Sequence, residues 1–289
     1  MKKNIAILCI THTINNHFRL LVEQLSSDFD IYIHFDKKNE LQYKQEIDSL
    51  STPRIRFVKN ENVYWGGYSQ ILSEYNLLKE AFESKKNYSH YVLISGADFP
   101  IKSNKEIQLF FEQNEGISFL EIFKLPHSSW GFGGGMDRVS RFWLTEFKNR
   151  NITKILGRIT LLIQRALGVK RQLFFKEYYG GGNWADLAHN AVEYILNYIN
   201  NNPKILHSFK QTRSGDEIWK QTILKTSKNI VITNNLLRYI DWRKGPQFPR
   251  ILDETDYDEI MRSNSLFARK FKGQDLTLQN IIVEKLKNT

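Results

Sequence analysis

Tyr91-Val92-Leu93-Ile94, followed at once by Ser95-Gly96-Ala97-Asp98-Phe99-Pro100, reads as a buried strand that ends in a turn carrying a single acid. Upstream of it, residues 68–82 place Ile71, Leu72, Tyr75, Leu78 and Phe82 at helical spacing. Residues 54–58 form a further strand candidate, and residues 30–35 put Ile31, Ile33 and Phe35 on one face of another. Phe18, Leu21, Val22 and Leu25 mark a helix over 17–25, preceded by an apolar strand at 5–10. Strand and helix thus alternate over the first 125 residues, which predicts an α/β fold with a mostly parallel sheet flanked by helices. Ligands of such sheets bind at the carboxyl ends of the strands. His12, Asp36 and Asp98 each follow a strand and are therefore expected at one crevice.

Composition narrows the class. Of 289 residues, 41% are hydrophobic and 25% charged, an ordinary globular balance. The formal net charge of +10 suits an anionic partner, whether nucleotide, nucleic acid or acidic lipid. Aromatics at 13% with that charge leave a basic glycan- or nucleic-acid-binding module as the competing class, but no nucleic-acid motif is present and no nucleic-acid partner is expected. The one cysteine, Cys9, sits in an apolar run and reads as a buried small hydrophobe. The apolar run after Met1 is too short for a signal peptide or anchor, and no run approaches the ~18 residues of a membrane span. A cytoplasmic protein, peripheral at the inner membrane face, is the expectation. Residues 147–176 hold eight Lys/Arg and no Asp or Glu, interleaved with Ile152, Ile155, Leu156, Ile159, Leu162, Ile163 and Leu167. This basic amphipathic stretch either lies on an anionic membrane or packs its apolar face on the core; periodicity does not choose.

Several chemistries are missing. There is no G-x-x-x-x-G-K-[ST], no G-x-G-x-x-G after the first strand and no G-x-S-x-G; Gly133–Gly135 and Gly180–Gly182 read as close-approach loops, and Gly245 to Pro249 as a Pro-containing loop. Asp28-Phe29-Asp30 precedes a strand and Asp256-Tyr257-Asp258 falls in a helix, so neither places paired acids at a strand end; Cys/His metal spacing is absent too, and no metal is expected. A diphosphate-bearing ligand, one form of the anionic partner that the net charge suits, would then need fixed Lys and Arg to balance its charge. Arg250, Arg269 and Lys270 are the candidates in the C-terminal part. Asp216-Glu217 follow the polar run Thr212-Arg213-Ser214-Gly215 and precede a helical run, residues 218–224. Asp216 fits a helix cap, while Glu217, one residue on, is free to act as a base.

Six motifs occur in order along the chain. They are Val63-Tyr64-Trp65-Gly66-Gly67-Tyr68-Ser69, Leu93 to Lys102, Gly180-Gly181-Gly182-Asn183-Trp184 before a helix, Asp216-Glu217, Phe248-Pro249-Arg250, and Leu266-Phe267-Ala268-Arg269-Lys270-Phe271. With these the chain resembles the core-2/I-branching β-1,6-N-acetylglucosaminyltransferase family, which also includes the peptide O-xylosyltransferases, over about 5–271. The resemblance implies a GT-A-type fold and inverting, metal-independent transfer from a UDP-sugar, N-acetylglucosamine being the first choice, to a glycan or lipid-linked glycan. It implies Glu217 as catalytic base, Arg250 and Lys270, with Arg269 beside them, on the diphosphate, and His12 and Asp36 near the nucleoside. Glu121, Trp242 and Arg138 are implied on the acceptor side. Asp98, Trp65 and Asp216 are left as structural or ligand-touching residues. The absence of an anchor resembles bacterial members that build capsule, lipopolysaccharide or other surface glycans. The whole of 1–289 reads as one transferase domain, with a nucleotide-binding half at 1–125 and an acceptor and catalytic half at 126–289.

Overall fold

The computed structural model describes residues 3–147, 150–245 and 248–287. In chain order the first half contains β1 (Asn4–Thr11), α1 (Asn16–Ser26), β2 (Asp30–Phe35), α2 (Lys44–Leu50), β3 (Ile55–Phe57), α3 (Tyr68–Glu83), β4 (Tyr88–Ser95), β5 (Asp98–Pro100), α4 (Asn104–Gln113), β6 (Ile117–Leu120) and β7 (Phe123–Lys124). The second half adds α5 (Met136–Ser140), α6 (Arg150–Ala166), β8 (Tyr179–Gly180), β9 (Ala185–Ala188), α7 (His189–Asn201), α8 (Lys204–Ser208) and α9 (Trp219–Leu224). It closes with β10 (Val231–Thr233), β11 (Arg238–Ile240), α10 (Tyr257–Arg262), β12 (Phe267–Arg269) and α11 (Thr277–Lys287).

The main sheet has seven strands in the order β10-β6-β9-β4-β1-β2-β3. All neighbours are parallel except β9, which runs against both β4 and β6. This is the α/β, mostly parallel sheet that the strand–helix alternation predicts. β1 shows why an unbroken apolar run makes a central strand: Ile5, Ile7 and Cys9 enter one core and Ala6 and Leu8 the other, so both faces are covered. The first core includes Phe18, Leu21 and Leu25 of α1, Ile107 and Phe111 of α4, and Leu278 and Ile282 of α11. The second holds Ile71, Leu77 and Leu78 of α3, Val192 and Ile195 of α7, and Trp219 and Ile223 of α9. Full burial of one such side chain contributes about 1.5–3 kcal/mol, so these two layers outweigh intrinsic helix propensity. Caps set some of the starts: Asn15 accepts from Phe18 N at α1, and Ser103 and Glu106 form a capping box at α4.

A second sheet, β11-β12-β5, pairs β12 antiparallel with β5 and sets Arg269 opposite Asp98. A two-stranded ribbon pairs Phe123 with Gly180. The carboxyl ends of β1, β2, β4 and β6 point the same way and deliver His12, Asp36, the 95–98 turn and Glu121 to one edge.

The structure corrects two readings and bears on a third that periodicity leaves open. Gly180 to Trp184 do not run directly into a helix: the short strand β9 comes first, and its buried Asp186 closes the gap between β4 and β6. Asp216 caps nothing; it lies in a 3-10 turn, Gly215–Glu217, buried, and neither this turn nor α9 has a side-chain cap. A cap must face the exposed first amides, and burial under α3 turns Asp216 away from them. In the stretch 147–176 the apolar stripe does not pack on the core: Ile155, Ile159, Leu162, Ile163 and Leu167 are 58, 48, 65, 51 and 71% exposed. Pro246 and Gln247 of the Pro-containing loop lie outside the described residues.

Candidate active site

Glu217 stands at the end of a 3-10 turn whose entry, Ser214, adopts left-handed backbone at φ 47° and ψ 51°. For a non-glycine residue that conformation costs of order 1 kcal/mol, and surrounding contacts must hold it. Here Ser214 N donates to Gly66 O at 2.9 Å, and Gly66 itself sits at φ 71°. The loop carrying Trp65 is pinned in turn by Asp36, whose Oδ1 accepts from Val63 N at 3.2 Å and from Lys38 N at 3.1 Å. At the start of α3, Glu146 accepts from Ser69 N at 3.0 Å. Strand β2 thereby fixes the approach to Glu217 through one carboxylate.

The Glu217 carboxylate is about one third exposed and receives Arg138 Nη1 on Oε2 at 2.5 Å. Its Oε1 accepts no hydrogen bond among the described residues. Arg138, on α5, has its guanidinium carbon over the Trp130 ring, 3.8 Å from the ring centroid, a cation–π contact that helps to hold it. Arg213 adds a further positive charge and stacks over Trp143 at 5.1 Å. Burial, then the charges of Arg138 and Arg158, push Arg213 below the ordinary arginine range, with Glu217 opposing.

The other wall is the glycine loop. Gly181 N donates to Glu217 O at 3.0 Å, and Gly182 N to Glu121 Oε2 at 2.7 Å. A Cβ on Gly181 would lie 1.9 Å from Glu121 O, so only glycine lets the two strands of this wall approach. Behind it Lys220 and Glu74 form a fully buried ion pair at 2.9 Å. Lys220 Nζ also donates to Asn183 Oδ1 and to the Asp216 carbonyl, and Trp219 Nε1 donates to Glu74. These bonds tie α3, the glycine loop and the Glu217 turn into one rigid backing. Burial pushes the Glu74 carboxyl up and the Lys220 charge pulls it back.

The structure therefore brings Glu217, Arg138 and Glu121 together, although they are far apart in sequence. Of the remaining candidates, Arg269 and Asp98 meet beside Trp184. Arg269 is held between the Trp184 ring at 4.2 Å and Asp98 at 3.3 Å, and burial pushes it below the ordinary arginine range. Asp98 is fully buried and closes its turn by accepting from Ser95 N at 2.6 Å. Lys270 is half-buried and its ammonium has no ion pair or hydrogen bond among the described residues; its carbonyl receives Leu252 N. The Arg250 guanidinium faces three acids: Asp241 at 2.6 Å, Asp253 at 3.4 Å and Asp256. Trp242 is 50% and Trp65 48% exposed, and His12 is exposed at the end of β1. Among the described residues, no three His, Cys, Asp or Glu side chains are grouped so as to hold a metal ion.

Sequence reading missed Glu74, Lys220, Trp130, Trp143, Trp184 and Arg213. Glu74 left a signal: it interrupts the apolar face of α3 between Ile71 and Leu78, and an acid there needs a buried cation. Lys220 left a weaker one, a lysine in a short helix whose other residues are mostly apolar.

The model of the family described as Core-2/I-Branching enzyme matches residues 5–261. The chain belongs to this family. A Sus scrofa relative, "Probable beta-1,3-galactosyl-O-glycosyl-glycoprotein beta-1,6-N-acetylglucosaminyltransferase 7", is 34% identical over 33% of the chain and 24% of its own length. "Xylosyltransferase 2" of Rattus norvegicus is 22% identical over 96% of the chain and 30% of its own length. The chain thus spans 24% and 30% of the length of these two curated relatives. Among solved structures, mannose-6-phosphate isomerase from Helicobacter pylori aligns with a TM-score of 0.33 at 8% identity, over 71% of this chain and 77% of that one.

Proposed function

We propose that this chain is an inverting glycosyltransferase that moves a sugar from a UDP-sugar to a glycan hydroxyl, with Glu217 as base and without a metal ion. The observation that carries this reading is the Glu217 carboxylate. One oxygen is held by Arg138, the other is uncommitted, and the whole group is presented between a glycine loop and an arginine-bearing helix. In the proposed reaction Glu217 takes the proton of the acceptor hydroxyl as its oxygen forms the bond to the anomeric carbon. UDP leaves from the opposite face, so the configuration inverts. Charge building on the diphosphate is balanced by Lys270, which has no acidic partner among the described residues, and by Arg250, which must share its guanidinium with Asp241 and Asp256. Glu121 and Arg138 orient the acceptor, and Trp242 offers a sugar ring an exposed aromatic face. N-acetylglucosamine is the favoured donor sugar, since one matched relative is named for its transfer. A surface polysaccharide or lipid-linked glycan made at the inner membrane face is the favoured acceptor.

The test is a screen of UDP-sugars by thermal shift, then turnover with the donor found, in excess EDTA, with mass spectrometry of the product. Glu217→Gln is expected to lower turnover by at least ~100-fold, the usual scale for a general base, while the UDP-induced shift persists. Unchanged turnover in the variant removes the base assignment, and loss of turnover in EDTA removes the metal-free one.

A further inference from the structure

We propose that α6 and the segment after it form a docking surface for an anionic phospholipid bilayer, on which the helix lies flat with its apolar face in the headgroup region. The helix is inverted relative to an ordinary surface helix, whose apolar stripe faces the core. Its seat on the protein is polar or small. Gln164 is buried and exchanges two hydrogen bonds with the Phe142 backbone, at 2.8 and 2.9 Å. Gly157 approaches the Trp143 ring so closely that a Cβ there would stand 3.2 Å from it. Arg165 reaches Asp137. The outward face carries Ile155, Ile159, Leu162 and Ile163, continued by Leu167 and Phe174, all exposed. A contiguous apolar surface of this kind on a folded chain marks an interaction site.

Charge selects the occupant. Residues 147–176 hold eight Lys/Arg and no Asp or Glu. By helical spacing Arg158 and Arg165 fall along one flank of α6, between the seated and the apolar faces. A second copy would bring like charges together around the buried patch, whereas an anionic headgroup layer neutralises them while the acyl region takes the isoleucines and leucines.

The same helix stands one short element from Glu217. Asp137 of α5 holds Arg165 of α6, and the next residue, Arg138, holds Glu217. Trp143 lies between Gly157 of α6 and the Arg213 guanidinium. Docking would therefore set the cleft beside the bilayer, where it draws acceptors anchored in that surface; this part rests on the transferase reading of Glu217.

The experiment is cosedimentation of the full chain with phosphatidylcholine vesicles and with vesicles containing phosphatidylglycerol, at low and high salt. The parent is expected on the anionic vesicles only, with binding falling steeply as salt shortens the screening length. The triple variant Ile159→Glu, Leu162→Glu, Ile163→Glu is expected to lose at least ~10-fold in vesicle affinity, because each change removes insertion and adds repulsion. Its melting temperature and its UDP thermal shift should match the parent, since these side chains already face solvent. Absence of binding to anionic vesicles at low salt overturns the proposal. So does parent-like binding by the variant, or a dimer that buries this face, seen by light scattering, with vesicles ignored. A chain that binds vesicles but is shifted by no UDP-sugar keeps the docking surface and loses the transferase; the converse loses the docking alone.

Discussion

At Asp216, burial acts first against ionisation, then the charges of Glu217 and Glu74, and the carboxyl is raised to about 8. Its Oδ1 finds no hydrogen-bond partner among the described residues. The folded chain therefore binds a proton here that the unfolded chain releases near the ordinary aspartate pKa of about 4. Stability from this group is full below that value and is lost as pH rises toward 8. Asp216→Asn, neutral at every pH, should flatten that slope: its melting temperature relative to the parent is expected to rise between about pH 4 and pH 8. A constant difference across that range would mean that Asp216 is ionised in the fold. The neighbouring Glu217 shows how little of such a site a sequence carries. A carboxylate after a polar loop was legible, but its partner Arg138 lies 79 residues away and its second neighbour, Arg213, reads as one more surface charge. Arg250 is the opposite case: Asp253 and Asp256, three and six residues on, announce the acids that its guanidinium meets.

Among the elements, those buried on two faces were the most legible. The runs at 30–35 and 91–94 are apolar enough to be strands wherever they sit, and α3 shows its period plainly. β9 was not legible: four residues with a central aspartate look like the approach to a helix until Arg238 is seen to neutralise that acid. Nor was the orientation of α6, because a hydrophobic stripe states only that one face differs from the other. The glycine loop before β9 lies between these cases. Its flexibility was visible, but its function depends on distance. With Glu121 O 1.9 Å from the site of a Cβ, Gly181→Ala must push the loop off Glu121 and away from Glu217 O. Overpacking of this sort costs about 1–3 kcal/mol. A displacement near 1 Å beside a reacting group can cost ~100-fold in turnover. The expected result is a modestly lower melting temperature with a much larger fall in kcat. A fall in stability with kcat intact would show that the loop is only structural.

Over the whole molecule, the junction between the two sheets decides whether the site stays assembled. Arg238 of β11 reaches across to both oxygens of Asp186 on β9, at 2.8 and 2.7 Å, and donates to Leu93 O on β4 at 2.8 Å. Neither side chain of the pair is exposed. Burial pushes the Asp186 carboxyl up, and the Arg238 charge pulls it back. One bidentate contact therefore joins the sheet that carries His12, Asp36 and Glu121 to the sheet that carries Arg269 and leads into Lys270. Arg238→Met should leave a buried carboxylate unpaired and cost about 3–5 kcal/mol. The sign of its pH dependence follows from that residue alone. Without the arginine, Asp186 stays protonated in the fold well above its unfolded pKa, so the variant gains stability as pH falls and loses it as pH rises. The gap in melting temperature between variant and parent is thus expected to be wide near pH 8 and to narrow toward pH 5. Changing Asp186→Leu in the same chain should recover part of the loss and remove the pH dependence, because no charge is then stranded. A gap that stays constant with pH would locate the cost in lost packing over Phe267, whose ring lies 4.8 Å from the Arg238 guanidinium, and not in the pair.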